Sequence, residues 1–170
     1  MTKPPPDPDA LAALAATGPT ELRELLLEVC SSPAWADAVA AARPWSGRTG
    51  LLAANAAATA GLSPADLHDA LAGHAPLGAP RAGDAASERE QSGLRGAEPG
   101  VLRELSEANA AYEARFGHVF LACATGRSAD ALLAALRERL PNDAATEAGV
   151  VREELRRINE LRLDRLLGTP

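Results

Sequence analysis

Residues 143–167 read DAATEAGVVREELRRINELRLDRLL and carry the clearest periodicity in the chain. Three apolar residues and one arginine recur there at i, i+4, i+7 and i+11, namely Val151, Leu155, Ile158 and Arg162. This spacing places them on one face of an α-helix, so the stretch predicts a long C-terminal helix with an arginine in its apolar face. An inward guanidinium requires an anion, such as a bound carboxylate. The alternatives are that the arginine extends its charged end to solvent or pairs with a structural acid such as Glu104 or Glu113.

Helical signals also dominate the rest of the sequence. Caps, first-turn prolines and stop residues mark further helices that begin at Thr20, Pro33, Ser46, Pro64, Ser87, Gly100 and Ser128. A single short turn is expected around Leu11 and Leu14. The sequence therefore predicts an all-α fold, a single-domain bundle of about eight helices over residues 10–170 with irregular or extended connectors. Residues 1–9 are rich in proline and are expected to form a disordered leader.

Composition limits the classes of function. The chain has 170 residues, 17 basic against 23 acidic side chains and 3% aromatics, which argues against a nucleic-acid surface. No apolar run approaches transmembrane length, and no secretory pattern opens the chain, so a cytoplasmic location is expected. Cys30 and Cys123 lack the spacing of a zinc site, and no other metal or phosphate-binding motif is present. We therefore expect two small buried thiols and no metal.

The connector 74–91 offers the strongest candidate for chemistry. His74 directly follows the helix-ending Gly73, and an unperturbed imidazole pKa of about 6.5 suits proton transfer near neutrality. Ser87-Glu88-Arg89-Glu90 then supplies a carboxylate, although Ser-x-x-Glu is also an ordinary capping box. The other histidines are weaker candidates: His68 is expected to face solvent, and His118 to satisfy local carbonyl groups. The apolar run 119–124 is too short for a helix and is expected to be extended or irregular.

Short motifs occur in the order found in one enzyme family. They are Cys30-Ser31-Ser32-Pro33-Ala34-Trp35, Arg43-Pro44-Trp45, His74 before Leu77-Gly78, Ser87-x-x-Glu90-Gln91, Asn109-x-x-Tyr112-x-x-Arg115-Phe116-Gly117-x-x-Phe120, Arg137-x-Arg139-Leu140-x-Asn142 and Glu154-x-x-x-Ile158-x-x-Leu161-Arg162-Leu163-x-x-Leu166. Over residues 20–167 the chain resembles the OHCU decarboxylases (2-oxo-4-hydroxy-4-carboxy-5-ureidoimidazoline decarboxylases) of urate degradation.

This resemblance implies an all-α homodimer that needs no cofactor and acts on a small anionic heterocycle. The reaction would follow urate oxidation and hydroxyisourate hydrolysis and yield (S)-allantoin and CO2. By the resemblance, His74 and Glu90 are catalytic. The residues implied in substrate binding are Ala75, Ser87, Gln91, Arg162 and the backbone of Phe120, Leu121, Ala122, Cys123 and Ala124.

Two positions depart from the family pattern. Ala75-Pro76 follows the histidine where a Pro-Arg pair is usual, and His118 stands where phenylalanine is common. Two other classes of function stay open. One is a non-catalytic helical interaction domain, in which Ser87-x-x-Glu90 is only a capping box and Arg162 belongs to a structural ion pair. The other is a related decarboxylase or tautomerase acting on another small heterocyclic acid.

Overall fold

The computed structural model describes residues 8–79, 91, 94 and 96–168. These residues contain eight α-helices and no strand, which confirms the predicted all-α fold. The helices are α1 (Pro8–Ala16), α2 (Pro19–Val29), α3 (Pro33–Ala41), α4 (Gly47–Ala60), α5 (Pro64–Ala72), α6 (Pro99–Phe116), α7 (Ala129–Arg139) and α8 (Ala144–Leu166). None of these helices is both long and apolar enough to cross a bilayer.

Side-chain caps explain where several helices begin. At α3, the Ser32 hydroxyl oxygen accepts from the backbone N–H of Trp35 at 3.3 Å, and Pro33 occupies the first helical position. At α5, Ser63 and Asp66 form a reciprocal box, in which the N–H of Asp66 donates to Ser63 Oγ at 3.2 Å and the N–H of Ser63 donates to Asp66 Oδ2 at 3.3 Å. Both starts agree with the sequence prediction.

Three local predictions were wrong. Thr20 does not cap α2: the N-cap is Gly18, because Pro19 has the φ angle that suits a first helical position and starts the helix one residue earlier. Helix α1 runs for nine residues rather than one turn and begins at Pro8, within the expected leader. The spacing of Trp35, Val39 and Ala42 predicts that all three lie on one buried face of α3, but Ala42 is exposed because α3 has already ended at Ala41.

The chain divides into two compact units, and the single-domain assignment of residues 10–170 stays a prediction. Unit 1 comprises Met1–Ala70 and Arg156–Pro170. Within it α2 packs on α3 and α3 on α4. Trp35 is fully buried there, and its indole N–H donates to Asn55 Oδ1 at 3.1 Å. The Asn55 amide nitrogen in turn donates to the carbonyl of Arg156 at 3.1 Å, which ties α4 to the C-terminal part of α8.

Unit 2 comprises Leu71–Leu155, and in it α6 packs on α7. Its core is built by apolar side chains from both helices and from the connectors, including Leu77, Leu94, Leu105, Tyr112, Phe120, Ala122, Ala124, Leu132, Leu133 and Leu136. Helix α6 ends at Gly117, which adopts a left-handed conformation with φ 76° and donates its N–H to Glu113 O at 2.8 Å. The helix predicted from Ser87 lies outside the described residues.

Candidate active site

His74 is held at the start of unit 2, two residues after the end of α5. Its side chain is largely buried, with 8% relative exposure, and its backbone N–H donates to Leu71 O at 2.9 Å. This hydrogen bond adds one turn after the end of α5, so the backbone of His74 is fixed to the end of that helix. The following Ala75 is half-buried. The backbone of His74 is therefore fixed, and most of the residue is shielded from solvent.

Two amide side chains fix the loop that follows His74. The N–H of Gly78 donates to Gln91 Oε1 at 2.8 Å, and Gln91 Nε2 donates to Pro76 O at 3.1 Å. Asn109 Nδ2, from α6, donates to Leu77 O at 3.0 Å. Gly78 has φ 85°, a conformation that other residues rarely adopt. Gln91, which the resemblance assigns to the substrate, thus also stabilises the loop next to the histidine.

Ser87 and Glu90 lie outside the described residues. The proposed catalytic and binding roles of these two side chains stay predictions, as does the choice between a capping box and a site carboxylate.

The segment 120–124 has neither helical nor strand hydrogen bonding and is fixed by charged side chains. Phe120, Ala122 and Ala124 belong to the core of unit 2, an alternation typical of extended backbone. Between them, Leu121 O accepts from Arg139 Nη1 at 2.8 Å, and the N–H of Cys123 donates to Glu154 Oε2 at 2.7 Å. The expected non-helical connector is confirmed, and two of its peptide groups already have ionic partners.

Arg139 itself belongs to a buried ionic network. Its Nε and Nη2 atoms donate to Glu147 Oε1 at 2.9 Å and 2.5 Å, the Tyr112 hydroxyl donates to the same oxygen, and Asn142 Nδ2 donates to Glu147 Oε2 at 2.9 Å. The guanidinium carbon lies 4.4 Å from the centroid of the Phe120 ring, which adds a cation–π contact. The geometry leaves the guanidinium little freedom to move.

Electrostatics within this network favour the charged carboxylate and the neutral phenol. Burial raises the pKa of the Glu147 carboxyl, but the hydrogen bonds from Arg139, Tyr112 and Asn142 outweigh burial and hold the pKa below its ordinary value. Burial, followed by the hydrogen bond to Glu147, raises the pKa of Tyr112. Tyr112 therefore remains a hydrogen-bond donor at neutral pH.

In unit 1, Arg162 extends from α8 toward the end of α2. Its Nη1 donates to Val29 O at 2.9 Å, and the side chain is half-buried. The neighbouring Cys30 is buried; burial raises the pKa of its thiol more than Ser32, Asn159 and Arg162 lower it, so the thiol stays protonated and unreactive. Glu104, considered above as a partner for Arg162, instead pairs with Arg137 at 2.6 Å on the surface of unit 2.

The two other histidines behave as the sequence predicts. His68 is exposed on α5. His118 Nδ1 lies 3.0 Å from Val119 O, and its ring meets Tyr112 edge-on, so a local carbonyl and an aromatic neighbour account for it. Among the described residues, no three His, Cys, Asp or Glu side chains form a group that could hold a metal ion.

Sequence reasoning gave no role to Arg139, Glu147 or Glu154. A usable signal was present for each. Arg139 follows Leu132 and Leu136 on the buried face of α7, and Glu147 and Glu154 share the face of α8 that carries Val151 and Ile158. Charged residues on an apolar face require partners, and this holds for Arg139 as it does for Arg162.

Comparisons with known proteins agree in pointing to one family. The chain is 38% identical over 68 residues to the uric acid degradation bifunctional protein TTL of Arabidopsis thaliana, which covers 40% of this chain and 21% of that protein. It is 35% identical over 83 residues to the 2-oxo-4-hydroxy-4-carboxy-5-ureidoimidazoline decarboxylase of Amia calva, which covers 49% of this chain and 47% of that protein. These matches thus span less than half of each relative.

Solved structures establish the fold more broadly. A crystal structure of OHCU decarboxylase in the presence of (S)-allantoin superposes with a TM-score of 0.72 at 24% identity, covering 86% of this chain and 98% of that one. A crystal structure of (S)-allantoin synthase gives a TM-score of 0.69 at 19% identity, covering 94% of this chain and 53% of that one. The family model for OHCU decarboxylase matches residues 15–164. The chain therefore belongs to the OHCU decarboxylase family.

Proposed function

We propose that this protein decarboxylates 2-oxo-4-hydroxy-4-carboxy-5-ureidoimidazoline to (S)-allantoin and CO2 in urate degradation. The observation that carries the proposal is family membership over residues 15–164, a range that includes His74 and Arg162. The Amia calva relative is named for this activity, and the Arabidopsis thaliana relative for uric acid degradation. The buried, backbone-fixed position of His74 supports a role in proton transfer.

The chemistry suits a site built only of side chains and backbone. Breaking the bond between the ring carbon and the carboxylate leaves an electron pair that the adjacent C=N bond of the ring accepts, so the substrate acts as its own electron sink. The hydroxyl group on the same carbon then loses its proton and becomes a ring carbonyl of allantoin. The protein then has to hold the carboxylate out of the ring plane and to protonate the carbanion from one face. No pyridoxal, thiamine or metal is needed for these two tasks.

We assign the roles residue by residue. His74 delivers the proton, and Glu90 sets the protonation state of the imidazole or accepts from the ureido N–H groups. Arg162 binds the leaving carboxylate, because a planar guanidinium matches its two oxygens. Ala75, Ser87 and Gln91 contact the substrate, and so does the backbone of Phe120, Leu121, Ala122, Cys123 and Ala124.

The test generates the unstable substrate in situ with urate oxidase and hydroxyisourate hydrolase and follows circular dichroism for (S)-allantoin. The wild-type protein should accelerate the signal, and His74→Ala should reduce the acceleration about 100-fold or more, as expected for loss of a general acid or base. His68→Ala is the matched control, because His68 is exposed on α5; it should retain the wild-type rate. A wild-type rate no faster than the uncatalysed reaction, or an unaffected His74→Ala, would refute the assignment.

The proposal also covers the oligomeric state and the cellular location of the protein. By its family resemblance the protein acts as a homodimer in the cytoplasm, with a small anionic heterocycle as ligand and no nucleic acid or membrane as partner. Sedimentation-velocity ultracentrifugation should give a mass near twice 17.5 kDa; a species of single-chain mass at micromolar concentration would contradict the dimer.

A further inference from the structure

We infer that Arg139 and Glu154 are positioning residues that orient the two peptide groups flanking Ala122 for substrate binding. The inference rests on the proposed function and goes beyond it, because neither side chain has a role in that proposal. It starts from two ionic hydrogen bonds, Arg139 Nη1 to Leu121 O at 2.8 Å and Cys123 N–H to Glu154 Oε2 at 2.7 Å.

Because peptide groups are planar, these two hydrogen bonds also fix the directions of the Ala122 N–H and C=O groups. The C=O and N–H of a trans peptide point in opposite directions, and both peptide bonds that flank Ala122 are trans. Since Leu121 O points to Arg139, the N–H of Ala122 points away from Arg139. Since the N–H of Cys123 points to Glu154, the carbonyl of Ala122 points away from Glu154. Residues 120, 122 and 124 alternate into the core of unit 2 as in extended backbone, in which the N–H and C=O of one residue point to the same side. The donor and the acceptor of Ala122 are therefore directed together, away from Arg139 and from Glu154.

A donor and an acceptor on one extended residue complement a group that carries an N–H beside a C=O, as in antiparallel strand pairing. The ring urea and the ureido group of the proposed substrate both have this arrangement. Binding through Ala122 would select for urea-type or lactam edges and would fix the ring without a side chain. Leu121 O, Cys123 N–H and Ala124 O, which accepts from Arg127 N at 3.0 Å, are already engaged within unit 2.

The two charged residues are well suited to this task. Hydrogen bonds from or to ionised groups are shorter and stronger than neutral ones. Arg139 is itself locked by Glu147 and by the Phe120 ring, and Glu154 is largely buried with 8% relative exposure. Both anchors therefore hold the segment rigidly, as a site that depends on near-ångström placement requires.

The test compares Glu154→Met with Glu154→Gln. Methionine has a similar length but cannot accept the hydrogen bond from Cys123, whereas the glutamine amide oxygen can. We expect Glu154→Met to lower kcat/KM about 10- to 100-fold, with a raised KM and faster hydrogen exchange at the Cys123 amide. Glu154→Gln should recover wild-type values within about threefold, since the acceptor is restored. Glu138→Met, at an exposed position next to Arg139, is the control and should leave both constants unchanged.

A purely structural role predicts a different result. A folded Glu154→Met protein with a released Cys123 amide but wild-type kcat and KM would overturn the inference. Should that variant not fold, Arg139→Lys serves in its place, because lysine keeps the charge beside Glu147 but cannot also reach Leu121 O through a rigid fork. It should give the same loss in kcat/KM, and wild-type constants would again overturn the inference.

A second readout separates this inference from the proposed function. The Ala122 amide resonance should shift when (S)-allantoin is titrated into the wild-type protein, and the shift should be lost in Glu154→Met. If the wild-type protein shows that shift but no turnover, and Glu154→Met loses the shift, the proposed function fails while the positioning role stands. If turnover is normal and Glu154→Met leaves turnover and the Ala122 shift unchanged, the positioning role fails while the function stands.

Discussion

The Glu147 side chain is 1% exposed, yet its two oxygens accept hydrogen bonds from Arg139, Tyr112 and Asn142. A buried charge is tolerated only when a counter-charge and further hydrogen bonds replace the lost water. Here the replacement is complete for the carboxylate, because both of its oxygens are engaged. The same network supplies the guanidinium that binds Leu121 O. Stability of unit 2 and placement of its candidate binding segment thus depend on the same few atoms.

Glu147→Gln should destabilise the protein by about 3–5 kcal/mol, because it leaves the Arg139 guanidinium buried without its counter-charge. The measurement is the free energy of unfolding from urea denaturation. Glu104→Gln is the matched control: its partner is Arg137, both side chains are exposed, and the expected change is about 0–1 kcal/mol. Equal losses for the two variants would show that burial does not govern the strength of the Glu147 pair.

For individual residues, the sequence predicts where a charged or imidazole side chain lies along a helix, but it does not predict which group that side chain contacts. The prediction that His74 follows a helix end is confirmed. Arg162 donates one hydrogen bond to a backbone carbonyl, Val29 O, and its role with a bound anion stays a prediction. The partner could not be foreseen, because Val29 and Arg162 are 133 positions apart and nothing in the local sequence relates them.

Gly117 and Gly149 occupy contrasting positions, one at the end of a helix and the other inside a helix. Gly117 closes α6 with φ 76°, whereas Gly149 lies inside α8, where an added Cβ would have nothing within 4 Å. Both residues are glycine, but only Gly117 has a left-handed backbone conformation that favours glycine.

Gly117→Ala and Gly149→Ala should therefore change stability in opposite directions. Alanine at position 117 is strained at positive φ and should cost about 1 kcal/mol. Alanine at the exposed position 149 should stabilise α8 by about 0.5–1 kcal/mol, because it restricts the unfolded chain and has the better helix propensity. Thermal denaturation by circular dichroism measures both changes. A stabilising Gly117→Ala would contradict the left-handed assignment.

At the element scale, most of the fold could be predicted. The starts of α3, α4, α5 and α7 follow from Ser32, Ser46, Ser63 and Ser128 and the residues after them. These signals are readable because a cap acts within three residues along the chain. The error at Thr20 has the same origin, because two neighbouring start signals, Thr20 and Pro19, competed at the same helix end.

Across the whole molecule, buried and capping carboxylates make stability depend on pH. The pKa of Glu147 lies below its ordinary value for the reasons given above, and hydrogen bonds from Thr146, first its backbone N–H and then its hydroxyl, lower the pKa of Asp143 at the start of α8. Both groups bind protons more weakly in the folded than in the unfolded chain. Their contribution to stability is fully present above the unfolded-state pKa values of about 4 and is lost as pH falls through the folded values.

The free energy of unfolding should accordingly be level near neutral pH and decline as the pH is lowered below about 4.5. Urea denaturation at a series of pH values from 7 to 2.5 measures this profile. Glu147→Gln should show a shallower decline, because it removes one of the titrating groups. A wild-type stability that rises on acidification over this range would contradict the depressed pKa values.

Most helix starts, the non-helical run 119–124 and the position of His74 after α5 can be predicted from the amino-acid sequence, because caps, periodicity and breakers act within a few residues. The family resemblance likewise consists of short motifs in a fixed order. The contacts of Gln91 with the loop after His74, and of Arg139 and Glu154 with the peptide groups around Ala122, are visible only in the folded chain. These contacts join residues 13 to 31 positions apart. Local sequence propensity does not predict such contacts, because they form only when helices pack and buried polar groups need hydrogen-bond partners.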